Sequence, residues 1–183
     1  MSSINFSIIA LPKLERELDF IQLRERYAPT LIQLDPHIRI TQPWVPAELG
    51  EVMMAIEFVS QLRKKLSPLA FSAENWQAAG ELIIGPITQG TTELLAIREK
   101  ITGAEPLSLL KPDIDNALSL ILFRVPVDQE RARAVAEANR IGRTLGVVDS
   151  LILIRTLPDG TWHRVARFPF GVGRVDFYEP LIL

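Results

Sequence analysis

An α+β fold with mostly antiparallel sheets and outer helices, built as a two-lobed, pseudo-duplicated single domain over 1–183, is predicted by three observations. First, helical and strand-like patterns follow the order β-α-β-α-β-β and then α-β-α-β-β, nearly one unit written twice. Second, turn signals at Gly80 and at Pro158-Asp159-Gly160 place hairpins among the helices, which argues against a purely parallel sheet. Third, 183 residues with 48% hydrophobic and 23% charged content suit one globular domain with a sizeable core.

The elements follow in order. Ile4 to Leu11 is apolar and strand-like, and Pro12 ends it. Leu14, Leu18 and Ile21 recur at helical spacing among acidic and basic residues, and Pro29 closes that helix. A short strand containing His37 comes next. Pro46 opens a second helix with the stripe Leu49, Val52, Ile56, Val59, Leu62 and Leu66. Arg63, Lys64 and Lys65 sit in its last turns, where cations suit the helix dipole. Leu69 to Ala78 and Leu82 to Ile87 read as strands.

Gly90 and Thr91 open a third helix with Leu94, Ile97 and Ile101 inward, and Gly103 stops it. Residues 104–112, with two prolines, read as loop. Ala117 to Val125 is a strongly apolar strand. Asp128 is expected to cap a fourth helix with Val135, Ala138, Ile141 and Leu145 inward, and with Arg131, Arg133, Arg140 and Arg143 on a solvated face. Ser150 to Thr156 and Trp162 to Phe168 form a hairpin. The tail from Gly171 to Leu183 has no assigned element.

Composition excludes several chemistries. Without cysteine there are no disulfides, thiolate metal sites or thiol nucleophiles, and a reducing, cytoplasmic location is expected. Two histidines without cysteine make a zinc site unexpected, and no cofactor is implied. Twenty basic residues against 22 acidic ones, a formal charge of -2, demand no polyanionic partner, so any anion site is local. No apolar run approaches the roughly 20 residues that span a bilayer. The first twelve residues have no basic segment before the apolar one, and read as a strand rather than a signal peptide. There is no Gly-x-Ser-x-Gly elbow and no Walker loop.

The informative stretch is Asp35-Pro36-His37-Ile38-Arg39-Ile40-Thr41-Gln42-Pro43-Trp44. Alternation along a strand puts His37, Arg39 and Thr41 on one face and Ile38 and Ile40 on the other. A second strand, 116–122, takes the matching place in the second half, with Ala117, Ser119 and Ile121 on one face.

These two strands resemble the paired His-x-Thr/Ser motifs of the two-histidine (2H) phosphoesterase superfamily, which includes 2'-5' RNA ligase-like proteins and cyclic phosphodiesterases. Pro36-His37-Ile38-Arg39-Ile40 followed by Pro43-Trp44 matches the first motif, with Arg39 where threonine is usual. Ala117-Leu118-Ser119-Leu120 matches the second, with Ala117 where the second histidine is usual. The resemblance implies a two-lobed domain, one motif strand per lobe (36–41 and 116–122), and a phosphate-facing cleft. In such a site one imidazole takes a proton and the other gives one, and the hydroxyls hold phosphate oxygens. It implies His37 as the surviving acid or base, Arg39 and Ser119 as phosphate ligands, no metal, and a nucleotide or RNA-end phosphate as partner.

Two readings stay open: an impaired phosphodiesterase or ligase, and a non-catalytic nucleotide- or anion-binding module or interaction scaffold. Residue by residue, Arg39 is equally a cleft ligand or an ion-pair partner of a carboxylate such as Asp35. Ser119 is better explained by strand structure than by function, because serine is common in strands and its partner histidine is absent. His163 reads as an edge histidine unless it converges with His37. Asp113, Asp115 and Asn116 are loop residues able to bring a carboxylate to the cleft. Arg164, Arg167 and Arg174 near Trp162, Phe168 and Phe170 form either a stacking patch or an ordinary hairpin surface.

Overall fold

The computed structural model of the protein describes residues 4–29, 35–103 and 118–178. The expected loop at 104–112 and the residues Asp113, Asp115, Asn116 and Ala117 lie outside that set. The described elements are β1 (Asn5–Ala10), β2 (Lys13–Leu14), α1 (Glu17–Tyr27), β3 (His37–Arg39), α2 (Leu49–Leu62), β4 (Leu69–Ala73), β5 (Gln77–Ala79), β6 (Leu82–Gln89), α3 (Thr91–Thr102), β7 (Ser119–Arg124), α4 (Asp128–Ile141), β8 (Thr144–Val148), β9 (Ser150–Thr156), β10 (Trp162–Pro169) and β11 (Asp176–Phe177).

The strands lie side by side in the order β11-β10-β9-β1-β3-β7-β6-β4-β8-β2, with β5 added on β6. Every pairing is antiparallel. This is the predicted α+β class: an antiparallel sheet with helices outside it. At its middle β3 pairs with β7, His37 opposite Ile121 and Ile38 opposite Leu120.

One face of the central strands joins the main core. Phe6, Ile8 and Ala10 of β1, Ile38 and Ile40, and Leu118, Leu120 and Leu122 are buried with Val52 and Val59 of α2 and Leu94, Ile97 and Ile101 of α3. Each of these side chains except Ala10 contributes about 1.5–3 kcal/mol on leaving water. The alternate residues face the other way, where Ile9, Ile152 and Ile154 form a small separate cluster. Ile9 pairs with Arg39, so His37 and Arg39 belong to this second face.

Several details differ from the sequence reading. Lys13 and Leu14 form a short strand on β8, and α1 starts later, burying Phe20 and Leu23 while Leu18 is exposed. Residues 69–78 are not one strand. The chain breaks at Asn75, whose φ is +57°, and Trp76 turns inward. Its indole donates to the Gly142 carbonyl at 2.8 Å, meets Phe20 edge-on at 5.0 Å, and lies across Gly85, where an added Cβ would come 2.4 Å from the ring.

Third, α4 ends at Gly142, whose φ is +82°, and Leu145 belongs to β8 and is exposed rather than inward. Asp128 is the first helical residue, and Val127 occupies the cap position. Fourth, the tail contributes β11, which pairs with β10. Arg63, read as a dipole-complementing cation, is buried, and its guanidinium donates to the carbonyls of Pro169 and Gly171 at 3.1 and 3.0 Å.

Candidate functional site

The site is built on the β3–β7 pair. The chain enters β3 from Asp35 and Pro36 and leaves it towards Trp44, which bridges to Phe6 of β1 through reciprocal backbone hydrogen bonds of 2.8 Å. Thr41 is fully buried, and its Oγ1 accepts the Ile8 N–H at 2.9 Å. That hydroxyl is spent on the backbone of β1, where both Ile40 and Thr41 donate to the Ile8 carbonyl.

His37 is buried, with 8% of its surface exposed. Its Nδ1 lies 2.9 Å from the Asp35 carbonyl oxygen. A carbonyl only accepts, so Nδ1 carries the proton and Nε2 presents its lone pair. Burial pushes the imidazole down to about 4, against the Asp35 carbonyl, which favours the charged form; Arg39 adds to the depression and the Asp35 carboxylate opposes it. Near neutral pH His37 is therefore an uncharged hydrogen-bond acceptor at Nε2, not a proton donor.

Asp35 is held from two sides. Arg164 of β10 donates to its carboxylate at 2.9 Å, and Arg24 of α1 lies at 3.5 Å. These contacts fix the peptide whose carbonyl orients His37. Of the carboxylates that could pair with Arg39, Asp35 makes no ion pair with it. Arg39 is exposed and makes no ion pair among the described residues.

The observed register, continued by one residue, sets Ser119 opposite Arg39. Ser119 is half-buried and pairs on its other side with Pro86 of β6. From α3, Arg98 reaches the same end of the strand pair and donates from Nη2 to the Arg39 carbonyl at 2.9 Å. Burial and the neighbouring Arg39 charge both push the Arg98 guanidinium down from its usual range. Arg98 carries no local sequence pattern that marks it, and the anchoring of Asp35 by Arg24 and Arg164 depends on contacts between distant elements.

His163 does not converge with His37. It pairs with Arg155, which pairs with Phe6 of the main-core face, so it points to the opposite side of the sheet. Two strands separate β10 from β3, a span of about 14 Å between backbones. Of the three arginines that could form either a stacking patch or an ordinary hairpin surface, the two on β10 are held in ion pairs. Arg164 pairs with Asp35, and Arg167 lies 3.5 Å from Asp149 and 3.6 Å from Asp176.

Among the described residues no three His, Asp or Glu side chains are grouped to hold a metal ion, and no helix is long and apolar enough to cross a membrane.

The fold matches that of 2H, or LigT-like, phosphoesterases at low sequence identity over most of the chain. E. coli LigT in complex with NADP+ superposes with a TM-score of 0.63 at 10% identity, covering 94% of this chain and 100% of that one. A crystal structure of a phosphoesterase gives 0.63 at 9% identity, covering 92% and 99%. Kluyveromyces marxianus Usb1 gives 0.55 at 9% identity, again covering 92% and 99%. No family model and no curated protein sequence matches the chain. At such identities the likeness is one of fold.

Proposed function

We propose that the chain is a divergent protein of the 2H phosphoesterase type that binds nucleotide or RNA-end phosphates at the β3–β7 pair and has lost two-histidine turnover. The observation that carries this reading is the pairing of an exposed Arg39, without a carboxylate partner among the described residues, with a buried, uncharged His37 on the same strand face. A guanidinium offers phosphate a planar fork of donors that the usual threonine lacks. Ser119, opposite Arg39, adds a hydroxyl.

The register supports an internal duplication with one motif strand per lobe. The offset that carries His37 onto Ala117 carries Arg39 onto Ser119 and Thr41 onto Ile121, and His37 is seen opposite Ile121. Arg39 and Ser119 then stand at the centre of the local two-fold relation. Ligands of the fold relatives agree with the chemistry: E. coli LigT has been solved with ATP, with phosphate and with 3'-AMP, and K. marxianus Usb1 with uridine monophosphate.

Turnover needs a proton taken from the attacking group and one given to the leaving oxygen. His37 in its neutral Nδ1–H form can take one weakly at Nε2. The matching position of the second motif is Ala117, and His163 faces away, so no second imidazole gives one back. Loss of one member of such a pair costs about 10²- to 10⁴-fold in rate. Calorimetric titration of 3'-AMP into wild type and Arg39→Gln tests the binding reading. Wild type is expected to bind and the variant to bind about 10- to 100-fold more weakly; equal affinity would refute the role of Arg39.

A further inference from the structure

Arg98 belongs to no motif. Its helix packs through Leu94, Ile97 and Ile101 against the core below β3, yet its guanidinium ends at the backbone of Arg39. Only one of its donors is accounted for there. Nε is buried and has no hydrogen-bond partner among the described residues. Neither Arg39 nor Arg98 has a carboxylate partner among the described residues, whereas Arg24, Arg26, Arg124, Arg131 and Arg164 each have one.

Two like charges brought together, one partly desolvated, oppose each other unless an anion lies between them. A strut from helix to sheet needs no charge, because a neutral donor would hold the same carbonyl. Two guanidinium groups match two negative charges. A phosphate monoester carries about two at neutral pH, since its second ionisation lies near pH 6, whereas a cyclic or bridging diester carries one.

We propose that Arg98 and Arg39 together form a two-guanidinium seat for a terminal phosphate dianion, so that the site selects phosphate monoester ends over cyclic or bridging diesters. This rests on the phosphate-binding reading above and goes further by assigning the second cation and the class of ligand. Arg39 supplies the exposed fork on the sheet face. Arg98 supplies charge and its remaining Nη donors at the end of the strand pair, and Ser119 stands opposite Arg39 to accept or donate at a third oxygen.

The test is calorimetric titration with 3'-AMP and with 2',3'-cyclic AMP at pH 7.5, where the monoester is a dianion. Wild type is expected to bind 3'-AMP at least about 10-fold more tightly than the cyclic nucleotide. Arg98→Gln is expected to lose about 10- to 100-fold for 3'-AMP and no more than about threefold for the cyclic compound, which removes the preference. Arg98→Lys, which keeps the charge without the fork, is expected to fall between, and it serves as the reading if thermal melting shows that Arg98→Gln is unfolded. Wild-type binding with an unchanged monoester preference in Arg98→Gln, or in Arg98→Lys if only that variant folds, overturns the two-arginine seat alone. Wild type that binds neither nucleotide overturns the phosphate-binding reading itself and this inference with it.

Discussion

The two strands at the centre of the sheet are partners in one ladder, yet they do opposite work. In β3, His37 and Arg39 carry the polar chemistry, and Asp35, just before the strand, anchors it through Arg24 and Arg164. In β7, Leu120, Leu122 and Phe123 are buried almost completely, and the polar residues stand at its two ends, Ser119 at the first position and Arg124, ion-paired with Glu81, at the last. If the halves descend from one unit, as proposed, the first has kept a histidine and an arginine at the motif positions and the second only the Ser119 hydroxyl. Antiparallel pairing lets one strand be sacrificed to packing while it still holds its neighbour in register.

That contrast predicts where substitutions act. Leu120→Ala, in the scaffold strand, is expected to cost about 2–5 kcal/mol in denaturant unfolding, because it opens a cavity in the main core beside Ile38. Arg39→Ala in the partner strand is expected to leave stability within about 0.5 kcal/mol while removing phosphate affinity. A large stability loss at Arg39 would break the division between the strands.

The next effect belongs to His37 and is read as stability against pH. Its folded value of about 4 lies below the ordinary 6.5, so the unfolded chain takes up the proton first as the solution is acidified. The contribution is fully present above about pH 6.5 and is lost as pH falls to about 4. The loss is roughly 3 kcal/mol. Unfolding curves across this window should show that slope in wild type and a flatter one in His37→Gln; an unchanged slope would place the titrating group elsewhere.

The smallest effect is at the anchor. The Asp35 carboxylate is about half exposed, so Asp35→Asn is expected to cost no more than about 1 kcal/mol in unfolding. Its backbone carbonyl stays, so the NMR signals of His37 should keep the Nδ1–H tautomer. A switch of tautomer in that variant would show that the ion pairs, rather than the peptide itself, orient the ring.

Much of this was legible before any coordinates. Alternation alone placed His37 and Arg39 on one face and Ile38 and Ile40 on the other, and both glycine stops at 80 and 103 stand where expected. The hidden parts share a cause: they depend on contacts between distant elements. Lys13 and Leu14 continue a plausible helical stripe until β8 is there to pair with them. Leu145 extends the stripe of α4, although Gly142 was a readable stop signal. Trp76 looks like a strand residue until Gly85 and Gly142 offer it a slot. Arg98 meets β3 only across 59 residues of chain, so no local spacing announces it.

The central claim is that this strand pair seats a phosphate without turning it over. A single-turnover incubation of 2',3'-cyclic AMP with excess protein, run beside His37→Ala, tests it most directly. The account predicts that the cyclic nucleotide is recovered unchanged from both proteins although wild type binds it. Conversion to a nucleoside monophosphate by wild type that disappears in His37→Ala would contradict it.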